Sequence, residues 1–317
     1  MIGAVVSLVA LTGTLMAVPL APAFIELYLG QDTEPMPVKD LTENVSDFAR
    51  DFRNLLEDGS PAAHQAPARA SALVLETDVF LDEGLFFADR IYAKGKLAAG
   101  GHNVFSGVLG EKDIDLGENA TVLSWAHAQG AVVVRSGSTV YGRLSAGEQV
   151  ELGVGCSFER VHAPLVTVAG GTKRVPANPA QPEETSVLER VTNRILSRDD
   201  FVLEPGERLC SNVVAGRKIR LAEGSHVIGS LKSNGRMELG PNVRVEGSLV
   251  SASDLRIGDG CLVLGPVLAE GDLFIASGTQ IGTPQRPTTV RAPRIRISPG
   301  VTIHGSLWAH ECGQVKD

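Results

Sequence analysis

Aromatic side chains are scarce in this sequence, and no stretch of it is rich in basic residues. Phe, Tyr and Trp make up only 5% of the 317 residues, and only two of these are tryptophans. Lysines and arginines are scattered through a chain of net charge −8. No segment shows the clustered basic residues that nucleic-acid-binding proteins present, so we expect no nucleic-acid partner.

Cysteine is also rare, and its spacing excludes the common cysteine-based sites. The chain has four cysteines, Cys156, Cys210, Cys261 and Cys312, and no CxxC pair. Their spacing fits no zinc site. We therefore expect reduced thiols in a reducing compartment.

Glycine, in contrast, is abundant, and there are enough hydrophobic residues for a sizeable core. The chain contains 35 glycines and has a hydrophobic fraction of 43%. Glycine is thus more frequent than the ~7% of an average protein. This composition favours a fold with many tight corners around small aliphatic side chains.

A long apolar segment opens the chain. Ile2 to Ile25 is 24 residues without a charge. As a helix it would be ~36 Å long, enough to cross a hydrocarbon core of ~30 Å. We therefore predict a transmembrane anchor within residues 1–30. The alternative is a cleaved signal peptide with Ala21-Pro22-Ala23 as its cleavage site, but the basic n-region of such peptides is missing.

The basic residues near this segment predict its orientation. None precedes it, whereas Lys39, Arg50 and Arg53 follow it. The positive-inside rule then places the N-terminus outside and the body of the chain in the cytoplasm. The predicted location is the inner (cytoplasmic) membrane, crossed once.

Residues 31–76 are predicted to form a linker that contains one amphipathic helix, 40–57. Asp40 is a candidate N-cap, with Glu43 as its capping-box partner. Apolar residues follow at helical spacing: Leu41, Val45, Phe48, Phe52 and Leu55. Such a stripe is typical of a helix docked on the exposed end of the body. A short coiled coil with a partner chain is the alternative.

The rest of the chain repeats every 18 residues. Gly235–Ala252 (GRMELGPNVRVEGSLVSA) shows the repeat most clearly. Five units form a first block, 77–165, and six units form a second block, 199–310. They leave an insert, 166–198, and a tail, 311–317. Within the insert, four apolar residues predict a short helix: Val187, Leu188, Val191 and Ile195.

Apolar residues in each unit occur as three pairs, and the members of a pair are two residues apart. Residues at this spacing lie on one face of a strand. Each unit therefore predicts three short strands that together make one turn of a parallel β-helix. The period does not determine the handedness of the helix. The predicted core ladder of the second block comprises Ile219, Leu221, Val227, Leu231, Met237, Leu239, Val243, Val245, Leu249, Leu255, Ile257, Val263, Val267, Ile295, Ile297, Val301, Ile303 and Leu307.

Glycine and asparagine recur where the chain must turn from one short strand to the next. These residues tolerate the positive φ that tight corners demand. The predicted corner glycines are Gly224, Gly229, Gly247, Gly260, Gly265, Gly300 and Gly305.

Reactive side chains do not gather in this repeat. Five histidines fall at five different repeat positions, so no two are expected in one column: His102, His127, His162, His226 and His304. Cys156 and Cys261 share an inward position and are interpreted as small core residues. Trp125 and Trp308 fall at outward positions, either as contact residues or as exposed side chains. We predict no catalytic, cofactor-binding or metal-binding residues and no small-molecule substrate.

One segment carries a family likeness. RKIRLAEGSHVIGSLKSNGRMELGPNVRVEGSLVSASDLRIGDG (Arg217–Gly260) resembles the bactofilin domain of bacterial polymer-forming cytoskeletal proteins, and the likeness is best over Asp199–His310. It implies a right-handed β-helix without enzymatic activity. It also implies end-to-end filaments that scaffold other proteins at the cytoplasmic membrane. The expected partners are therefore further copies of the chain and unknown client proteins.

The chain departs from this family in several ways, and two other functions stay open. It has two coil blocks, an insert, an amphipathic helix and a full anchor, and its tail and helix 40–57 are candidates for covering the rod ends. Hexapeptide-repeat acyltransferases share much of the motif, which would make the chain an enzyme with His226 or His304 as its base. An exported β-helix surface protein is the other alternative.

Overall fold

The computed structural model describes residues 52–53, 72–170 and 193–316 of the chain. Within these ranges nearly all regular structure is β, because Phe52 and Arg53 are the sole helical residues beside 29 short strands. The strands stack into a parallel β-solenoid of about 12 turns. The parallel β-helix predicted from the 18-residue period is therefore confirmed.

The strands divide between the two blocks. The first block contains β1 (Ala72–Leu75), β2 (Val79–Leu81), β3 (Phe86–Phe87), β4 (Arg90–Ala93), β5 (Leu97–Ala99), β6 (Val104–Gly110), β7 (Ile114–Leu116), β8 (Thr121–Ala128), β9 (Val132–Val134), β10 (Thr139–Ala146), β11 (Gln149–Leu152) and β12 (Ser157–Val168). The second block contains β13 (Arg194–Ser197), β14 (Phe201–Leu203), β15 (Arg208–Cys210), β16 (Asn212–Ala215), β17 (Ile219–Leu221), β18 (His226–Ile228), β19 (Leu231–Ser233), β20 (Met237–Leu239), β21 (Arg244–Val245), β22 (Leu249–Ser251), β23 (Leu255–Ile257), β24 (Leu262–Val263), β25 (Val267–Ala269), β26 (Leu273–Ile275), β27 (Gln280–Ile281), β28 (Thr288–Ile297) and β29 (Thr302–Val315).

Each strand pairs in parallel with the equivalent strand one turn along the rod. In the stack β17, β20, β23 and β26, the residues Ile219, Met237, Leu255 and Leu273 lie in register. Backbone donors and acceptors are thereby satisfied between turns, while alternate side chains point inward. Three such stacks form the three faces of the rod.

The inward side chains form one continuous core. All the residues of the predicted core ladder are buried, and Leu239, with 4% of its surface exposed, is the least buried of them. The same apolar cluster includes the inward residues of the first block, from Ile91 to Val168. Small aliphatic side chains fill most of this closely packed interior, and Phe105 and Phe158 are buried among them.

The corner glycines are required for two different reasons. Gly224 and Gly260 adopt positive φ values of 68° and 64°, which a Cβ would strain. Gly247 and Gly265 do not adopt positive φ, contrary to the expectation for corners. A Cβ on Gly247 would lie 2.3 Å from the carbonyl oxygen of Gly229 in the preceding turn. Stacked corners therefore need glycine for close approach of the backbone as well as for turning.

The two blocks meet end to end through their last turns. β12 pairs with β29 in antiparallel orientation, from Ser157 opposite Gln314 to Thr167 opposite Thr302. Both blocks belong to one compact unit. Because the last turns cover each other, the first turns of both blocks lie at the outer ends of the rod. We call the β12–β29 contact the joint.

The described strands extend beyond the limits suggested by the repeat. The first block begins at Ala72 and ends at Val168, and the second begins at Arg194. Residues Cys312–Val315, expected in a tail, complete β29 and pair with β28. Ile195 lies in β13 and pairs with Val213, so the helix predicted in the insert is wrong at this residue. Its side chain packs against the apolar core as a strand residue.

Other predictions fall outside the described residues. These are the anchor within residues 1–30, the helix 40–57 apart from Phe52 and Arg53, and residues 187–191 of the insert. Among the described residues, no helix has the length and apolar character needed to cross a membrane.

Candidate functional site

The outer end of the first block combines an open strand edge with exposed apolar side chains. Among the described strands, β1, β2 and β3 pair on one side only, with β4, β5 and β6. Phe80 and Phe86 are 70% and 68% exposed, and Leu73 and Val74 are exposed beside them. An open edge presents unpaired backbone donors and acceptors, which is a template for another chain.

The outer end of the second block is built in the same way. β13, β14 and β15 pair with β16, β17 and β18, and none has a second partner among the described strands. Leu196 and Val202 are 71% and 53% exposed. The inward side chains of Ile195, Phe201 and Leu209 are only partly buried, because this turn has a neighbour on one side alone.

The joint shows how two turn ends of this chain pair with each other. The Gly155 N–H donates to the Val315 carbonyl at 3.0 Å, and the Val315 N–H donates to the Cys156 carbonyl at 2.9 Å. On another face, the Gly300 N–H donates to the Val168 carbonyl at 3.0 Å. Backbone pairing thus satisfies the edges that would otherwise be open.

Core packing at the joint requires a glycine at position 313. Phe158 in β12 lies opposite Gly313 in β29. A Cβ on Gly313 would be only 2.2 Å from the ring of Phe158, which is 2% exposed. Residues of both blocks belong to one apolar cluster, so the core runs through the joint without interruption.

The structure brings together two histidines that the repeat places apart. The pairing of β10 with β12 shifts by one residue, which moves His162 into the column of His127. Ser145 lies between them, and Ser306 follows His162 across the joint. The prediction that no two histidines share a column is therefore wrong, because one turn of the repeat is a residue short.

Both histidines are bound to hydroxyl groups. His127 Nδ1 lies 2.7 Å from Ser145 Oγ, and His162 Nδ1 lies 2.8 Å from Ser306 Oγ. Burial, with the nearby charge of Arg53, lowers the pKa of His127 to about 4, and burial also lowers the pKa of His162. Ser145 is 2% exposed and His127 is 5% exposed. The group is therefore a satisfied polar network inside the protein rather than an open catalytic site.

The two histidines considered as possible bases occupy separate places. His304 Nδ1 is hydrogen-bonded to the carbonyl of Pro164 across the joint, at 3.1 Å, and burial lowers its pKa. His226 Nε2 lies 2.9 Å from Glu246 Oε1, which also accepts a hydrogen bond from Arg244 Nε at 3.2 Å. Glu246 is 6% exposed, so these neighbours compensate a buried charge.

Residues 52 and 53 contact the flank of the first block. Phe52 is 5% exposed and packs edge-on against Trp125, with 5.3 Å between ring centroids. Arg53 forms an ion pair of 2.7 Å with Glu111, and the hydroxyl of Tyr92 donates to the same carboxylate. For these two residues, the expected docking on the end of the rod is wrong, because the aromatic and acidic partners lie on its side.

The buried cysteines serve as core residues. Cys156 and Cys261 are each 1% exposed, and each thiol donates to a carbonyl of the turn below at 3.1 Å. Burial raises the pKa of Cys261 to about 11 and also raises that of Cys156. Cys210 and Cys312 are free as well. Buried thiols with raised pKa values have little nucleophilic thiolate at neutral pH.

No protein-family model matches this chain, and no curated protein or solved structure matches it either. In the part of the chain that the structure describes, no group of three His, Cys, Asp or Glu side chains is placed to hold a metal ion. The candidate features for function among the described residues are the two outer ends, the joint and the side of the first block that Phe52 and Arg53 contact.

The 18-residue repeat does not predict the joint. Its signal in the sequence is Gly313, which occupies an inward position of the last turn, where the other turns carry aliphatic residues such as Ile295. A glycine at a core position indicates that a side chain from elsewhere fills the space, here the ring of Phe158.

Proposed function

We propose that the chain is a non-enzymatic scaffold of the cytoplasmic membrane that self-associates through the outer ends of its rod and holds client proteins there. The joint carries this proposal, because two turn ends of this chain already pair through antiparallel strands over a continuous core. Both outer ends offer the same combination of open edge and apolar side chains. The resemblance to bactofilins, with their right-handed helix, agrees with this function.

The geometry of the rod defines how such ends would pair. Both outer ends are first turns, so any two that stack must meet in antiparallel orientation, as the last turns do in the joint. The first turn of the first block carries five acidic residues: Glu76, Asp78, Asp82, Glu83 and Asp89. The second-block end adds Arg194, Arg198 and Arg208 to its acids. Pairing of unlike ends avoids opposing like charges, so we expect the first-block end to bind the second-block end.

Sedimentation velocity of the full chain in detergent tests the proposal. Phe80→Asp/Phe86→Asp places charges on the first-block end, and Leu196→Asp/Val202→Asp does so on the second. These side chains are exposed, so the substitutions should leave each rod folded. Phe274→Asp, at a residue 39% exposed on β26 and away from both outer ends, is the matched control and should assemble like the unmodified chain.

The two end variants also reveal which ends pair. If unlike ends bind, each variant alone is a monomer and an equal mixture of the two forms dimers. If like ends bind, each variant alone stops at dimers. A strictly monomeric unmodified chain, or end variants that assemble as fully as Phe274→Asp, would overturn self-association through the ends.

A further inference from the structure

An arginine stripe crosses the joint on one face of the rod. Arg143, Arg160, Trp308 and Arg291 occupy the same outward position on the neighbouring strands β10, β12, β29 and β28. We call these four residues the arginine stripe. The sequence does not show this cluster, because its members are far apart in the chain and are brought together only by stacking and by the antiparallel joint. The expectation that basic residues are scattered therefore does not hold on this face.

The stripe is a concentration of positive charge with an aromatic ring in its middle. The guanidinium carbons of Arg160 and Arg291 lie 4.6 and 4.7 Å from the centroid of the Trp308 ring. Arg291 Nε also donates to His310 Nε2 at 2.8 Å. Neither Arg160 nor Arg291 forms an ion pair with any residue that the structure describes, and both are exposed. Three arginines thus lie within four neighbouring strands, so this face would attract an anionic partner.

The surroundings of the stripe indicate the chemistry of that partner. The column continues into Trp125 on β8 and into Leu268 on β25, which is 36% exposed. From Trp125 to Leu268 it spans five strand spacings, about 24 Å, and contains no acidic residue. The nearest carboxylates along the chain, Glu159 and Glu270, lie beside the column rather than in it. The column is therefore cationic, with Trp308 and Leu268 as its apolar members beside the arginines.

A bilayer surface rich in anionic lipid fits this combination best. Arginine extends its guanidinium group to lipid phosphates while its stem covers apolar surface, and tryptophan and leucine suit the interface. A nucleic acid fits less well, because binding of single strands relies on aromatic rings that are free to stack with bases. The ring of Trp308 instead has a guanidinium group over it from each neighbouring strand.

We propose that the rod lies lengthwise on anionic membrane lipids, with the arginine stripe against their phosphate groups. This inference rests on the membrane anchoring in the proposed function and is independent of end-to-end association. Phe52 supports it, because it packs on Trp125 at one end of the same face. The segment that follows the predicted anchor thus reaches the rod on the side that would face the bilayer.

Tryptophan fluorescence reports directly on this contact, since Trp125 and Trp308 are the two tryptophans of the chain. Trp125→Phe leaves Trp308 as the reporter in the full chain. The protein is reconstituted into vesicles of phosphatidylcholine, with or without phosphatidylglycerol, that carry a headgroup-labelled quencher lipid. We expect quenching of Trp308 in the phosphatidylglycerol vesicles alone. About 0.5 M salt should abolish the quenching while the chain stays with the vesicles.

A pair of charge variants assigns the contact to the stripe. Arg160→Gln/Arg291→Gln should weaken the lipid contact by about fivefold per arginine, and therefore lose most of the quenching. Arg220→Gln/Arg256→Gln removes the same charge from outward positions of β17 and β23, on either side of Glu238. This variant should keep the quenching of Trp308.

Three results would overturn the proposal. The first is equal quenching in neutral and anionic vesicles, and the second is quenching that survives Arg160→Gln/Arg291→Gln. The third is stripe-dependent binding of an oligonucleotide or a sulfated polysaccharide without lipid contact, which assigns the stripe to another partner. Sedimentation of the end variants is measured separately. Loss of lipid contact with intact assembly therefore refutes this inference and leaves the proposed self-association standing.

Discussion

Gly313 faces the ring of Phe158 across the joint, and there is no room for a Cβ between them. The ring is 2% exposed, so packed neighbours prevent it from moving aside. We predict that Gly313→Ala lowers the free energy of unfolding by about 1–3 kcal/mol through overpacking. Guanidinium denaturation of the full chain in detergent, followed by circular dichroism, measures the loss.

A second substitution tests whether Phe158 is the cause. Phe158→Leu opens space at the same point, so the double variant should be more stable than the sum of the two single effects predicts. Strictly additive losses would show that Gly313 and Phe158 do not constrain each other, and the description of the joint core would then be wrong.

The strands β8, β10, β12 and β29 together carry a column of polar side chains, of which His127 and Ser145 are buried and His162 and Ser306 are half-buried, and this column makes stability depend on pH. Burial, aided by the charge of Arg53, lowers the pKa of His127 to about 4 from its usual 6.5. Below about pH 6.5 the imidazole of His127 therefore binds a proton in the unfolded chain but stays neutral in the native state. The free energy of unfolding is therefore highest above about pH 6.5 and falls as the pH is lowered toward 4.

We predict that His127→Gln removes the contribution of His127 to this dependence, because glutamine can still bind Ser145 but does not titrate. The unmodified chain should lose about 3 kcal/mol more than the variant between pH 7 and pH 4. His310→Gln, at an exposed position, is the control and should follow the unmodified chain. Parallel pH profiles for all three proteins, from denaturation midpoints, would contradict the buried neutral state of His127.

The sequence predicts the features that depend on residues close together in the chain, and it does not predict those that depend on contacts between distant turns. The spacing of Met237 and Leu239 is enough to predict that they point inward, because each turn repeats the same pattern and stacks in register on the turn before it. The column of His127 and His162 depends on a local shift of one residue between β10 and β12, which brings His162 opposite Ser145. The joint and the arginine stripe depend on contacts between turns far apart in the chain, so periodicity does not show which turns meet, although Gly313 at an inward position marks a departure from the repeat.

For the whole molecule, the length of the connection between the blocks decides whether the joint closes within one chain. Gly170 ends the first block beside Pro299, near the joint, whereas the second block begins at Asn193, at the far end. β13 and β28 are separated by five strand spacings on one face, about 24 Å. The 22 residues from 171 to 192 exceed this distance when extended.

Shortening this connection should therefore switch the joint from one chain to two. Six residues span at most about 22 Å, which is less than the separation of the strands, and cannot close the joint, whereas fourteen span up to about 50 Å and can. We test both lengths by sedimentation velocity in a chain that also carries Phe80→Asp/Phe86→Asp and Leu196→Asp/Val202→Asp, so that the joint is the one remaining association surface. The longer variant should be a monomer, and the shorter one should form dimers or larger species by exchanging blocks, since β12 and β29 still present complementary edges. A monomer at six residues would mean that β12 and β29 do not pair, and the rod would then be two separate blocks with four open ends.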